Sequence, residues 1–362
     1  RTGRTPGEVM DDAAWAVFEH GWRDPWGADA DHLKTPEDAA DFADAGFTFF
    51  TIDPGEHVDD DVDRHNLETK VGDVPWSSLE DTVEDLERRF LSSPFDLEGT
   101  PVPFDRASLW GAAAKYGRAV AHTADMYRHI ATIMADRPFE LEVSVDETDS
   151  PTSVPEHIYI ASELRRLGVR WVSLAPRFVG RFEKGVDYIG DLEDFSQQFA
   201  LHAAVARQMG PYKLSLHSGS DKFSIYPIAS RLTRRGARSP GPLVHVKTAG
   251  TSFLEALRAV ALLDPDLFRN VLDLARARYE RDRVTYHLSA DLSRVPRPED
   301  LDDGGLEDLL GQFDAREVLH VTFGSILDRY GDRIRATLVR DEETYADVLT
   351  SHFAKHLADF AR

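Results

Sequence analysis

Short runs in which apolar and polar residues alternate recur eight times along this chain, and segments of helical spacing lie between most of them. The runs are residues 27–33, 47–53, 141–147, 170–177, 212–217, 243–248, 284–289 and 318–323. Alternation at period two is the mark of a strand with two unlike faces. Between the runs, residues 36–46 open with Pro and close with Gly, which is helix punctuation. Residues 154–167, 253–263 and 267–279 also read as helices, and 342–361 as a closing helix. Strand–helix alternation repeated eight times predicts an α/β fold: a closed (β/α)8 TIM barrel occupying 1–362 as a single domain. A long insertion at 58–105, between the second and third strands, contains a helical stretch at 79–90 and is expected to be a lid or subdomain.

The strand faces separate sharply. One is aliphatic, as in Leu141, Val143 and Val145 or Leu214 and Leu216. The other carries Glu142, Ser144 and Asp146, then Ser215 and His217, His245 and Lys247, and finally His287 and His320. Burying one polar group without a partner costs roughly 1–3 kcal/mol. A polar face this rich is therefore expected to be hydrogen-bonded and to line a site at the strand ends. Four histidines, His217, His245, His287 and His320, fall near the ends of four successive runs. Neutral imidazole is the commonest metal ligand, and with carboxylates it suits Zn2+, Mn2+, Ni2+ or Co2+.

Composition removes other classes. A net charge of −22 argues against nucleic acid, which needs clustered Lys and Arg. No run of about 18 apolar residues predicts a membrane span. The visible N-terminus shows no apolar signal core, and zero cysteines exclude disulfides and thiolate ligands and suit a cytoplasmic enzyme. There is no His-Glu-x-x-His, no P-loop and no Gly-x-Gly-x-x-Gly.

Six segments, taken in order, resemble one family. They are Trp26-Gly-Ala-Asp-Ala-Asp-His-Leu-Lys-Thr35, Phe49-Phe-Thr-Ile-Asp-Pro54, Glu142-Val-Ser-Val-Asp-Glu-Thr148, Phe182-Glu-Lys-Gly-Val-Asp-Tyr188, Leu216-His-Ser-Gly-Ser-Asp-Lys-Phe223 and His245-Val-Lys-Thr-Ala-Gly-Thr251. The chain is similar here, from about residue 22 to residue 325, to the tagaturonate/fructuronate epimerases. The resemblance implies a metal-dependent cytoplasmic isomerase of hexuronate catabolism that interconverts D-tagaturonate and D-fructuronate, a small sugar acid being its partner. It leaves a homo-oligomer open.

The two ketouronates differ at a carbinol carbon that is β to both the ketone and the carboxylate, so its proton is not acidic. A retro-aldol route inverts it, and needs a Lewis acid, an acid/base for the hydroxyl and fixed positive charge for the carboxylate. His32, His217 and His245 are the expected metal ligands. Glu147 and Asp31 are the expected acid/base groups, with Asp146 a close rival and Glu147 alternatively a fourth ligand. Arg177, Lys222, Lys247 and the Ser218 loop are expected to hold the substrate anion, and Asp53 and Asp221 to bind hydroxyls or brace the histidines. His287 and His320 are read equally as substrate ligands or core histidines, and Glu183 and Asp187 as a closing or a solvated loop. The competing readings are a metal aldolase or aldose–ketose isomerase on a sugar acid, and a catalytically dead sugar-acid-binding barrel.

Overall fold

The computed structural model describes residues 3–63, 65–234, 242–248, 250–286 and 288–360. Its strands are β1 Asp29–Leu33, β2 Phe49–Ile52, β3 Phe95–Leu97, β4 Thr100–Val102, β5 Glu140–Val145, β6 Ser173–Pro176, β7 Lys213–Leu216 and β8 Val244–Val246. One sheet runs in the order β1-β2-β5-β6-β7-β8, with parallel pairing from β1 through β7, while β3 and β4 make a separate antiparallel hairpin.

This corrects the expected eight-stranded barrel. Among the described residues the parallel sheet has six strands, and its order does not close. The seventh expected run, 284–289, begins in a 3-10 turn, Arg283–Thr285, and Val284 is 80% exposed. The eighth, 318–323, lies in the helix Phe313–Val321 and the start of the helix Phe323–Arg340. Seven residues of the first of these helices are buried, Arg316, Glu317 and Leu319 among them. A short apolar run buried on most sides carries no periodicity that separates strand from helix.

The helices begin where side-chain caps permit. Thr35, Asp105 and Ser153 each accept a hydrogen bond from the backbone three residues on, and open Pro36–Asp44, Arg106–Met134 and Val154–Arg166. The 29-residue Arg106–Met134 helix is the longest, and is buried along much of its length by small residues such as Ala112, Ala113 and Gly117. A methyl group at Gly117 would lie 2.9 Å from Val74, so glycine permits that close approach. Tyr116, Val120, Val143, Val145, Ile160 and Leu164 line one apolar gap, which places the aliphatic face of β5 against this helix and Val154–Arg166. The 58–105 insertion holds the helices Leu67–Gly72 and Val83–Phe90 and the β3–β4 hairpin.

Two compact units result. The first comprises Arg1–Val179, Ser196–Ser215 and Leu243–His245, and so contains the sheet except for Leu216 and Val246. The second comprises Gly180–Phe195, Leu216–Pro242 and Val246–Arg362. Its core is helical, built by Leu257, Phe268, Leu272, Leu319 and Ile326 among others. No helix among the described residues is long and apolar enough to cross a membrane.

The second unit also buries two carboxyl groups together. Glu183 accepts hydrogen bonds from the Ser289 amide (2.7 Å) and hydroxyl (2.7 Å), and Glu317 accepts from the Ala290 amide (2.8 Å). Burial, and then the neighbouring Glu183, push the Glu317 pKa up to about 8. A carboxyl whose folded pKa is raised gives stability that is complete below its unfolded value and disappears as pH rises through the folded one. Chemical denaturation at pH 6 and pH 9 should therefore show the wild type losing on the order of 1–3 kcal/mol more than Glu317→Gln. Equal losses in the two proteins would show that Glu317 holds no proton at neutral pH.

Candidate active site

In open α/β sheets ligands bind at the carboxyl ends of the strands, and the first unit gathers its reactive side chains there. His32 sits near the end of β1 at φ 60, a left-handed conformation rare outside glycine. The β1–β2 register breaks between Ala30 and Leu33, so His32 departs from simple alternation. The His32 ring lies between two carboxylates: Nδ1 is 2.9 Å from Asp31 Oδ2, and Nε2 is 3.8 Å from Glu147 Oε1, beyond the end of β5. Asp31, then Glu147, push its pKa up to about 10. Two carboxylates around one imidazole form an oxygen–nitrogen donor set suited to a borderline divalent cation.

Asp53 follows β2 and is 3% exposed. Its Oδ1 accepts the Gly55 amide at 2.9 Å, whereas Oδ2 is buried without a hydrogen-bond partner, 3.8 Å from Lys34 Nζ. A β-carbon at Gly55 would lie 3.0 Å from Asp53 Oδ1 and 3.9 Å from Glu147 Cβ, so a glycine keeps these strand ends close. A buried carboxylate oxygen left without a partner favours an incoming hydrogen-bond donor.

Glu142 is the residue that motif reasoning left without a role. It is fully buried on β5; Oε2 lies 2.6 Å from His245 Nδ1, and Oε1 accepts the Ser215 hydroxyl at 2.9 Å. A carboxylate braced on one ring nitrogen fixes the tautomer and aims the other, which is how metal-binding imidazoles are held. The sequence signal was there: a Glu inside Leu-Glu-Val-Ser-Val on a strand covered on both faces must have a partner. Lys34, beside Asp53 and 3.2 Å from Glu56, was likewise not singled out.

The other expected residues fall as follows. Asp146 is half-buried and accepts the Ser144 hydroxyl at 2.5 Å. Arg177 is half-buried, its backbone paired with Thr152. In the second unit, His217 is 9% and Lys247 8% exposed, and the Lys247 amide donates to Leu216 O at 3.1 Å. Ser218 is half-buried, and Tyr226 donates to the carbonyl of the adjoining Gly219 at 2.5 Å. Lys222 is fully buried and donates to the carbonyls of Glu183, Val186 and Ser220 at 2.7, 2.6 and 2.9 Å. Burial draws its pKa down to about 8, still above neutrality. Its N–H bonds thus tie its loop to residues 183–186. Asp221 faces inward to His352 and Arg316. His320 belongs to a helix rather than a strand, close to Gly185 and Gly250, and burial pulls its pKa down to about 4. Glu183 is buried and Asp187 caps Ser224. His287 lies outside the described residues.

The sequence profile of the UxaE family, described as tagaturonate epimerase, matches residues 1–360. A tagaturonate/fructuronate epimerase of Thermotoga maritima is 42% identical over 361 residues, covering 99% of this chain and 72% of the relative. Among solved structures, the glycerol-bound fructuronate-tagaturonate epimerase UxaE of Cohnella laeviribosi superposes with a TM-score of 0.91 at 36% identity, covering 99% of this chain and 73% of that one. Its native form gives 0.89 at 37% identity, with 97% and 71% covered.

The His32 environment is measurable directly. In metal-free protein its ring proton resonances should show no titration between pH 6 and 8, and Glu147→Gln should lower its midpoint. A wild-type midpoint near 6.5, the ordinary value, would contradict the carboxylate sandwich.

Proposed function

The chain belongs to the UxaE family of tagaturonate epimerases, which makes it an isomerase, and from that premise we propose that it interconverts D-tagaturonate and D-fructuronate by breaking and re-forming the bond next to the inverted carbinol. One observation supports this reading above the rest: Asp31, His32, Glu147 and Asp53 meet at the carboxyl ends of β1, β5 and β2. Glu147 is 59% exposed at its side chain, which puts its carboxylate within reach of a substrate in solution.

Each residue has a defined task. Glu147 or Asp31 takes the proton from the carbinol hydroxyl. The electron pair of the O–H bond forms the aldehyde carbonyl, and the cleaved carbon–carbon pair moves into an enediolate. The aldehyde turns its other face, the bond re-forms, and the carboxylic acid returns the proton to the new alkoxide. Asp53 Oδ2 accepts a substrate hydroxyl, and Arg177 with Lys34 offers positive charge to the carboxylate. His32, flanked by Asp31 and Glu147, and His245, braced by Glu142, are the side chains we assign to hold a divalent cation (Zn, Mn, Ni or Co). Such a cation, when bound, supplies Lewis-acid pull on the keto oxygen. As a hexuronate-processing enzyme the protein is assigned to the cytoplasm.

Fructuronate incubated with metal-replete protein and followed by NMR should yield tagaturonate. A chelator should stop the conversion and added metal restore it. Glu147→Gln should lower kcat by about 10²–10⁴-fold, and Glu142→Gln should cost about 10–100-fold in metal affinity or activity. Folded, metal-replete wild type that leaves fructuronate unchanged would overturn the assignment.

A further inference from the structure

A second group of ligating side chains lies wholly within the second unit. His352 and His356 stand four apart on the helix Glu342–Leu357, and so share a face. Both turn Nε2 toward Asp221. His352 Nε2 is 2.9 Å from Asp221 Oδ1 and 2.7 Å from Thr251 Oγ1, and His356 Nε2 accepts the Asp221 amide at 3.0 Å. One ligand atom from each of the three residues lies within 4.8 Å of the others, and all three residues are buried. The far nitrogens are held from behind: His356 Nδ1 by the His352 carbonyl at 3.2 Å, and His352 Nδ1 by Glu255 Oε1 at 3.4 Å. Rings braced on one nitrogen while the others converge are how proteins present imidazole to a metal.

Asp221 supplies the independent sign. It is 3% exposed and sits at φ 61, a conformation seldom adopted by residues other than glycine. Its Oδ1 meets Arg316 Nη2 and Thr251 Oγ1, each at 3.2 Å, but Oδ2 is buried with no hydrogen-bond partner. Glu255 is paired with Arg258 at 2.7 Å and with Arg316, and Arg316 is also engaged by the Gly185 and Leu310 carbonyls, so the opening at Asp221 Oδ2 is one of geometry rather than of net charge.

We propose that Asp221 Oδ2, His352 Nε2 and His356 Nε2 form a buried structural site for a zinc-class divalent ion that fastens the C-terminal helix to the loop of residues 217–222. One carboxylate oxygen and two imidazole nitrogens suit Zn2+, with Thr251 Oγ1 at hand as a further oxygen. Binding exchanges the Asp221 amide's bond to His356, and any proton on His352 Nε2, for the ion, so affinity falls as the solution becomes acidic.

The test uses the full chain stripped with a chelator and titrated with Zn2+. Wild type should bind one more Zn2+ per chain than folded His356→Gln, and zinc should raise the wild-type melting temperature by several degrees more than the variant's. Crystals of the zinc-loaded wild type provide a second measurement that does not depend on any variant folding. An anomalous peak at the zinc edge between Asp221, His352 and His356 is expected. Equal stoichiometry in the folded variant, or zinc-replete crystals without that peak, would overturn the site and leave a protonated His352 as the cation of the cluster.

Discussion

The buried carboxylate of Glu142 constrains the rest of the sheet. A charged group with no exposed surface is tolerated only if its oxygens are satisfied, and here Ser215 from β7 and His245 from β8 satisfy them. All three side chains must then lie on one side of a parallel sheet. The register does this: Thr51 pairs with Glu142, and Glu142 with Ser173, each of them fully buried. A slip of one residue would exchange this polar side for the aliphatic one. The apolar side of β5 is committed to the helices Arg106–Met134 and Val154–Arg166. Packing on one side and hydrogen bonding on the other thus fix the same register, and that register carries Asp53 and Glu147 to the strand ends.

Much of this was legible in the sequence, because period-two alternation is strong wherever the two faces differ in chemistry. The runs that became β1, β2, β5, β6, β7 and β8 all had that contrast. The runs at 284–289 and 318–323 show the same alternation, yet neither adds a strand to the sheet among the described residues. Val284 is exposed, and Val318, Leu319 and Val321 are buried within a helix whose charged residues, Arg316 and Glu317, are buried as well. Once charged residues go inside, alternation no longer reports which element surrounds them. The long helix Arg106–Met134 escaped for a related reason: alanines and glycines on several faces leave little amphipathic stripe.

The site divides along the same line. The position of its residues along the strands was legible: His32 lies between Asp31 and Glu147, and His245 is the middle residue of β8. What the sequence concealed is direction within loops. Lys222 and Asp221 belong to a polar loop that looks made for an anion, yet one binds three backbone carbonyls and the other binds Arg316 and a helix more than a hundred residues later. Lys222 and the Asp221 amide and Oδ1 are tied down, while Asp221 Oδ2, like Asp53 Oδ2, is buried without a hydrogen-bond partner.

The central claim is that the strand-end carboxylates move a hydroxyl proton and leave the carbon-bound hydrogen of the inverted carbinol in place. Running the conversion of fructuronate in D2O and reading the isotope at that carbon in the tagaturonate product tests it most directly. Retro-aldol inversion carries the original hydrogen through the aldehyde, so protium is predicted at that carbon. Deuterium there would mean that the carbon itself is deprotonated, and would contradict the account.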